Sequence, residues 1–275
     1  MGNKSKIRKI TLIIFSLLFV SISGLSVNAK NIPKTVSSKK GFVRYVSMGF
    51  RQREKVIKVI SKKPVVKPEN LSRLLIKAKY KKVRKNSFSG DYCRWSMEDC
   101  SVTSNYEKGL YKYTISGKYY ESKSERDYVD KIAASIVSRV KGRSPYEKMY
   151  YLSDWIVSNI HYDQNGYTAY RALKTGGATC LGYALLFQKF AVKAGLDCKM
   201  VTGYARHFNG NVFHHAWNAV RLNGKWYYVD TTYMDNIYKD MDYFLFGSDY
   251  CSLYRTIDKR GYGKNPKVEK YSYIG

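Results

Sequence analysis

The chain has 275 residues, with 49 Lys and Arg against 21 Asp and Glu, and its formal net charge is +28. A positive charge of this size points to anionic partners, and the absence of an internal repeat excludes a repeat architecture. The charge is uneven, because residues 30–85 hold 19 Lys and Arg but only two acidic residues, Glu54 and Glu69.

The first 29 residues have the pattern of a signal peptide. Four basic residues precede an apolar run over residues 10–20, and Val27-Asn28-Ala29 places small residues at a cleavage position. The run is too short for a comfortable membrane span, so we predict cleavage after Ala29 and secretion, with an uncleaved anchor as the alternative. No cysteine stands near the cleavage position, which disfavours a lipoprotein anchor.

Residues 30–85 are predicted to form a basic, partly helical N-terminal arm. The pattern indicates two short amphipathic helices, one over residues 50–60 and one from the N-cap Asn70 to residue 85. In an exported protein such an arm suits an anionic cell-wall polymer or a membrane surface, which would hold the protein at the cell surface. Nucleic acid fits the charge but not the compartment. The alternative is a solvated arm without a dedicated partner.

Residues 86–122 form a tyrosine-rich segment that we interpret as short strands leading into a domain over residues 123–275. Helices come first in that domain. Ser144-Pro145-Tyr146-Glu147 has the pattern of a capping box, and a later helix begins at Cys180 and closes at Gly195. Strands are predicted over residues 198–204, 213–222 and 225–232. Helices followed by antiparallel strands predict an α+β fold.

Cys180 stands where a glycine-rich approach gives way to a helical pattern. The unpaired N–H groups and the positive dipole end of the first helical turn favour thiolate over thiol. The sequence therefore predicts a nucleophilic cysteine at this position.

His215 and Asp230 lie on opposite sides of Asn223-Gly224, a strong signal for a two-residue hairpin. In such a hairpin residue 222 pairs with residue 225, which places Asp230 diagonally across from His215 on the same face. The carboxylate is therefore predicted to hold the imidazole ring, while His214 points to the other face. Nucleophile, base and orienting acid follow one another along the chain.

Three blocks of the sequence carry a resemblance to a known family. They are Gly177-Ala178-Thr179-Cys180-Leu181-Gly182-Tyr183-Ala184, His215-Ala216-Trp217-Asn218 and Gly224-Lys225-Trp226-Tyr227-Tyr228-Val229-Asp230-Thr231-Thr232. Over residues 127–246 the chain resembles the bacterial secreted branch of the transglutaminase-like superfamily, whose catalytic logic is papain-like. The resemblance implies a papain-like core of helices packed on an antiparallel sheet.

The same resemblance implies an acyl-enzyme mechanism on amide bonds of a protein or peptide substrate. Cys180 would be the nucleophile, His215 the general base and acid, and Asp230 the orienting residue. The backbone N–H of Cys180 supplies one oxyanion donor, and the matching residues do not identify the second. We favour hydrolysis, as in a cysteine protease or amidase. The alternatives are crosslinking by a protein-glutamine γ-glutamyltransferase and a non-catalytic cell-wall or adhesion module.

The remaining cysteines, Cys93, Cys100, Cys198 and Cys251, permit disulfides outside the cell, with Cys93 and Cys100 the most local pair. The spacing of His and Cys residues predicts no metal site, and nothing in the sequence calls for a cofactor.

Overall fold

The computed structural model describes residues 32–79, 81, 89–206, 210–235, 241–258 and 265–274. The predicted signal peptide lies outside this part of the chain. None of the helices described is long and apolar enough to cross a membrane. The described residues from Pro33 onwards fold as one unit with two hydrophobic cores.

The amino-terminal part of this unit is a four-stranded sheet with three helices. The strands are β1 (Lys34–Thr35), β2 (Val56–Ser61), β3 (Met97–Glu107) and β4 (Leu110–Tyr119), and the helices are α1 (Lys39–Arg51), α2 (Leu71–Lys79) and α3 (Ser89–Trp95). The strand order is β1, β2, β4, β3, with β1 and β2 parallel and the other pairs antiparallel. Phe42 and Phe50 of α1 share a core with Ile57 of β2 and Ile115 of β4.

The helix predicted over residues 50–60 was wrong. Helix α1 ends at Arg51, Arg53 turns the chain with a φ of 58°, and the following residues form strand β2. Ile57 and Val59 are buried while Lys58 between them is exposed, which is the alternation of a half-buried strand. The second predicted helix is present as α2, but it follows a 3₁₀ turn over Pro68–Asn70 and ends at Lys79, earlier than predicted. The basic segment is thus part of a sheet shared with the tyrosine-rich strands β3 and β4.

In the rest of the described chain, four helices come before a five-stranded antiparallel sheet, and two short helices lie between its later strands. The helices are α4 (Lys123–Ser138), α5 (Pro145–Asn159), α6 (Ala169–Thr175), α7 (Cys180–Lys193), α8 (Thr231–Met234) and α9 (Ser248–Tyr254). The sheet strands are β7 (Cys198–Arg206), β8 (Val212–Leu222), β9 (Lys225–Val229), β10 (Phe244–Phe246) and β11 (Arg255–Ile257), in the order β10, β9, β8, β7, β11. A short parallel pair joins β5 (His161–Tyr162) to β6 (Gly177–Ala178). This arrangement confirms the α+β prediction.

Local capping signals determine where the helices begin. The predicted capping box at Ser144 is confirmed, since its side chain accepts from the Glu147 backbone N–H and the Glu147 carboxylate accepts from the Ser144 backbone N–H. A second capping box starts α4 at Ser122 with Glu125 as its partner. Reciprocal bonds of this kind satisfy amide groups that the first helical turn leaves unpaired.

The hairpin of β8 and β9 has the predicted register. Leu222 pairs with Lys225 and Asn218 with Val229, and the turn residues Asn223 and Gly224 have φ values of 49° and 82°. Two positive φ values are those of a type I′ turn. The second strand ends earlier than predicted, at Val229, because the chain turns there into α8.

Helix α7 packs across this hairpin. The buried Asn218 side chain of β8 donates a hydrogen bond of 3.1 Å to the Ala184 carbonyl in the first turns of α7. Tyr183, Phe187 and Phe190 of the same helix are fully buried. The start of α7 is therefore held beside the sheet.

Candidate active site

Cys180 is the first residue of α7, one residue after the end of strand β6. The residue before it, Thr179, is the N-cap, and its backbone N–H donates to the Gly166 carbonyl at 3.0 Å. A Cβ atom on Gly182 would lie 2.3 Å from that same carbonyl oxygen, so only glycine lets the loop approach the helix this closely. Cys180 itself is partly exposed, as a nucleophile must be.

His215 lies on β8 and contacts Asp230 at the end of the neighbouring strand. Its Nε2 atom is 2.7 Å from Oδ2 of Asp230, and the two side chains are 1% and 0% exposed. Asp230 is also the N-cap of α8, where its Oδ1 accepts from the Tyr233 backbone at 3.3 Å. The contact predicted from the hairpin register is present. His214 is exposed and its ring lies 4.2 Å from that of Tyr204.

The His215 ring is held as a cation at neutral pH. Burial lowers its pKa, but the charge and hydrogen bond of Asp230 and the adjacent Cys180 sulfur together raise the pKa to about 9. Since Asp230 occupies Nε2, and the buried Nδ1 has no hydrogen bond to a nitrogen or oxygen atom in the described chain, Nδ1 is the ring atom left for the sulfur. The structure thus brings together all three predicted site residues.

Arg255, at the start of β11, is a member of the site that the sequence patterns did not reveal. Its Nη2 lies 2.8 Å from Oδ2 of Asp230, and both side chains are fully buried. Burial raises the pKa of Asp230, but the charges and hydrogen bonds of His215 and Arg255 bring it below its ordinary value. In the sequence, the one signal for this role is that the arginine stands between a short helix and a short strand with apolar residues. This signal is too weak to identify a site residue by itself.

Two tyrosines border the cysteine. Tyr162 lies on β5, beside the strand that leads into Cys180, and its pKa is raised by burial and by the charge of the Cys180 sulfur. The Tyr233 ring packs edge-on against His215 with centroids 5.1 Å apart, and mainly burial raises its pKa to about 12. Both phenols therefore stay protonated at neutral pH and can donate hydrogen bonds.

Metal-ligand clusters and disulfides concern the remaining cysteines and histidines. Within the described ranges, no three His, Cys, Asp or Glu side chains are grouped closely enough to hold a metal ion. All five cysteines are free thiols, so the local pair Cys93 and Cys100 is not bridged.

The site combines a cysteine at a helix start, a histidine on the adjacent sheet and an aspartate after the next strand. On this α+β fold, such a combination is typical of a transglutaminase-like domain. The family model of the transglutaminase-like superfamily matches residues 130–231, so this part of the chain carries a transglutaminase-like domain. The match includes Cys180, His215 and Asp230 but ends well before Arg255.

The curated relatives match about a third of this chain, and the chain spans only about one sixth of their length. Kyphoscoliosis peptidase of Mus musculus is 32% identical over 108 residues, which is 34% of this chain and 16% of the mouse protein. The Homo sapiens protein of the same name is 35% identical over 94 residues, or 29% of this chain and 14% of the human protein. The match to a crystal structure described as a TGase covers 86% of this chain and 68% of the TGase chain, with 14% identity and a TM-score of 0.35.

Proposed function

We propose that the protein is a thiol enzyme that cleaves amide bonds through Cys180, His215 and Asp230. The observation that carries this proposal is the contact of 2.7 Å between Nε2 of His215 and Oδ2 of Asp230, two buried side chains, which leaves Nδ1 of the ring for the Cys180 sulfur. An imidazolium in this place stabilises a thiolate, and the thiolate is the reactive form of cysteine.

The reaction follows from the positions of these groups. The Cys180 thiolate attacks the substrate carbonyl carbon, and the oxygen develops a negative charge. His215 then donates its proton to the departing amine, which leaves an acyl group on the sulfur. Neutral His215 next takes a proton from water, the hydroxide attacks the thioester, and the acid product leaves as the thiolate is restored. Asp230 keeps the ring oriented through both halves of the cycle.

Tyr162 is the second oxyanion donor in this proposal, beside the backbone N–H of Cys180. Its strand β5 pairs with β6, which leads into α7. Burial and the charge of the Cys180 sulfur raise the pKa of the Tyr162 phenol. Replacement of Tyr162 by Phe removes only the hydroxyl group. A loss of about 10- to 1000-fold in kcat with little change in KM would support the role. An unchanged kcat would reject it.

The function is tested by comparing the wild type with Cys180→Ala on glutamine-containing proteins. New amino termini or released ammonia that depend on Cys180 would establish hydrolysis. Cys180-dependent incorporation of a fluorescent primary amine, without new termini, would make the protein a transamidase instead. Cys100→Ala is the matched control, because Cys100 is also partly exposed but lies on β3. Absence of both products and of selective Cys180 alkylation would leave a binding module.

We further propose that the protein is exported and that its amino-terminal sheet meets an anionic surface. Exposed lysines on and beside β2, including Lys55, Lys58, Lys62 and Lys63, carry the charge. Because β2 lies inside the sheet, deletion would remove core residues, so glutamine substitutions of these lysines are the cleaner test. Retention on isolated cell walls and on anionic lipid vesicles, measured at two salt concentrations, distinguishes the two surfaces. Unchanged retention on both would reject electrostatic docking.

A further inference from the structure

The carboxylate of Asp230 is shared between two cationic side chains. His215 Nε2 and Arg255 Nη2 both contact Oδ2, at 2.7 Å and 2.8 Å. All three side chains are at most 1% exposed. A buried carboxylate depends on such partners, because water does not reach it to stabilise its charge.

Arg255 is held in place by aromatic rings as well as by Asp230. Its guanidinium carbon lies within 4.5–5.9 Å of four ring centroids, those of Tyr233, Tyr243, Phe246 and Trp217. The buried Nε and Nη1 atoms have no hydrogen-bond partner in the described residues, and ring faces attract a cation without one. The backbone of Arg255 is also fixed, since it pairs with Ala205 of β7.

This environment gives the guanidinium one polar partner among the residues described. The rings close off the rest of its surface, so its orientation is set by Asp230, and the orientation of Asp230 is set in turn by Arg255 and His215. The titratable and charged groups facing this pair are His215 on β8, Cys251 on α9, Tyr233 on α8 and Tyr243 in the turn before β10, with Cys180 reaching it through His215.

We propose that Arg255 is a positioning residue, which keeps Asp230 charged and turned towards His215 and so maintains the imidazolium beside Cys180. The proposal rests on the proposed catalytic roles of these three residues. Arg255 lies outside residues 130–231, the segment that the family model matches. Strand β11, which pairs with β7, brings it to the site.

The test measures the pH at which alkylation of Cys180 by iodoacetamide reaches half its maximum rate, by peptide mass spectrometry. Arg255→Met removes the charge, so Asp230 takes up a proton more readily and the imidazolium loses its partner. We expect the midpoint to rise by about one pH unit. Hydrolysis should fall by about 10- to 100-fold, mainly in kcat. Arg255→Lys, which keeps the charge, should restore most of the midpoint and part of the rate.

Arg53→Met is the matched control, because Arg53 is also buried in an ion pair, with Glu121 at 2.6 Å, at the junction of the two cores. Its alkylation midpoint should equal that of the wild type. Arg255→Gln, which is neutral but keeps a hydrogen-bond donor, is measured alongside in case the methionine variant does not fold.

The outcomes separate the two proposals. A folded Arg255→Met or Arg255→Gln protein with the wild-type midpoint would overturn the positioning role, even if the enzyme is active. If both neutral variants fail to fold while Arg53→Met folds, Arg255 is a structural residue and the assignment is also overturned. A shifted midpoint in a protein that cleaves no amide would support the positioning role and reject the proposed function.

Discussion

His215 and Asp230 are 15 residues apart in the chain, yet Nε2 of the first lies 2.7 Å from Oδ2 of the second, and both side chains are buried. The β8–β9 hairpin brings them together, and their attraction is strengthened by burial because no water screens the charges. This ion pair is expected to contribute to the stability of the fold as well as to the proposed chemistry. Measurements of unfolding test the first contribution, and measurements of Cys180 reactivity test the second.

The stability of the protein should depend on the ionisation of His215. The folded-state pKa of about 9 lies above the ordinary value of 6.5. Its contribution is therefore complete below about pH 6.5 and is lost as the pH rises through 9. We expect the free energy of unfolding of the wild type to exceed that of His215→Gln by at most about 3 kcal/mol at pH 6, and by much less at pH 9.5. The difference in Tm between the two proteins, measured at both pH values, checks this. A difference that does not change with pH would contradict this. The exposed neighbour His214, as His214→Gln, is the control.

Asp230→Asn should destabilise the fold by about 3–5 kcal/mol, because it leaves Arg255 buried without a counter-charge. The asparagine can still cap α8, so the loss reports the charge rather than the cap. Urea unfolding of Asp230→Asn, Arg255→Met and the double variant measures the coupling. The double variant should lose less than the two single variants together, whereas additive losses would show that the pair is not coupled.

The buried pair of Arg53 and Glu121 should stabilise the junction between the two cores. Arg53 Nη2 lies 2.6 Å from Glu121 Oε1, and the Tyr92 hydroxyl donates to Oε2 at 2.9 Å. Glu121→Gln should cost about 3–5 kcal/mol in urea unfolding. Glu107→Gln, which breaks an exposed pair with Lys112, should cost less than about 1 kcal/mol. Equal losses in the two variants would refute the importance of burial.

Gly203→Ala should disturb the site through β11. A Cβ atom at this position would lie 1.9 Å from the Thr256 carbonyl oxygen, so β11 must move away from β7 and take Arg255 with it. We expect a loss of about 1–3 kcal/mol and slower alkylation of Cys180. Gly41→Ala is the control, because its new methyl group would meet only Ser38 Oγ, the N-cap of α1, at 3.4 Å and Val36 at 3.7 Å or more. That change should be neutral or stabilising. Wild-type behaviour of both variants would show that β11 does not couple to the site.

Signals that act over a few residues were sufficient to predict several parts of this protein. The capping box at Ser144 and the turn at Asn223 and Gly224 are formed by neighbouring groups, and both are present. The hairpin register followed from the turn alone, and with it the approach of Asp230 to His215. Cys180 at the first position of α7 followed from the change in pattern before it.

Strand β2 shows where local reasoning failed. A short run of apolar and basic residues is compatible with a helix or a strand, and the choice was made by pairing with β4, whose partner Tyr113 lies 54 positions beyond Val59. Only a fold that brings these segments together reveals the period-two burial of Ile57 and Val59.

The sequence by itself determined the α+β class, the cysteine at the start of its helix and the histidine and aspartate across one hairpin, because each depends on short-range geometry. Only the tertiary structure decided that the basic segment builds a sheet and that Arg255 supplies the second cation for Asp230. The physical reason is that burial of a charge has to be satisfied by whatever partner the fold brings near it, and sequence separation does not limit which residue that is.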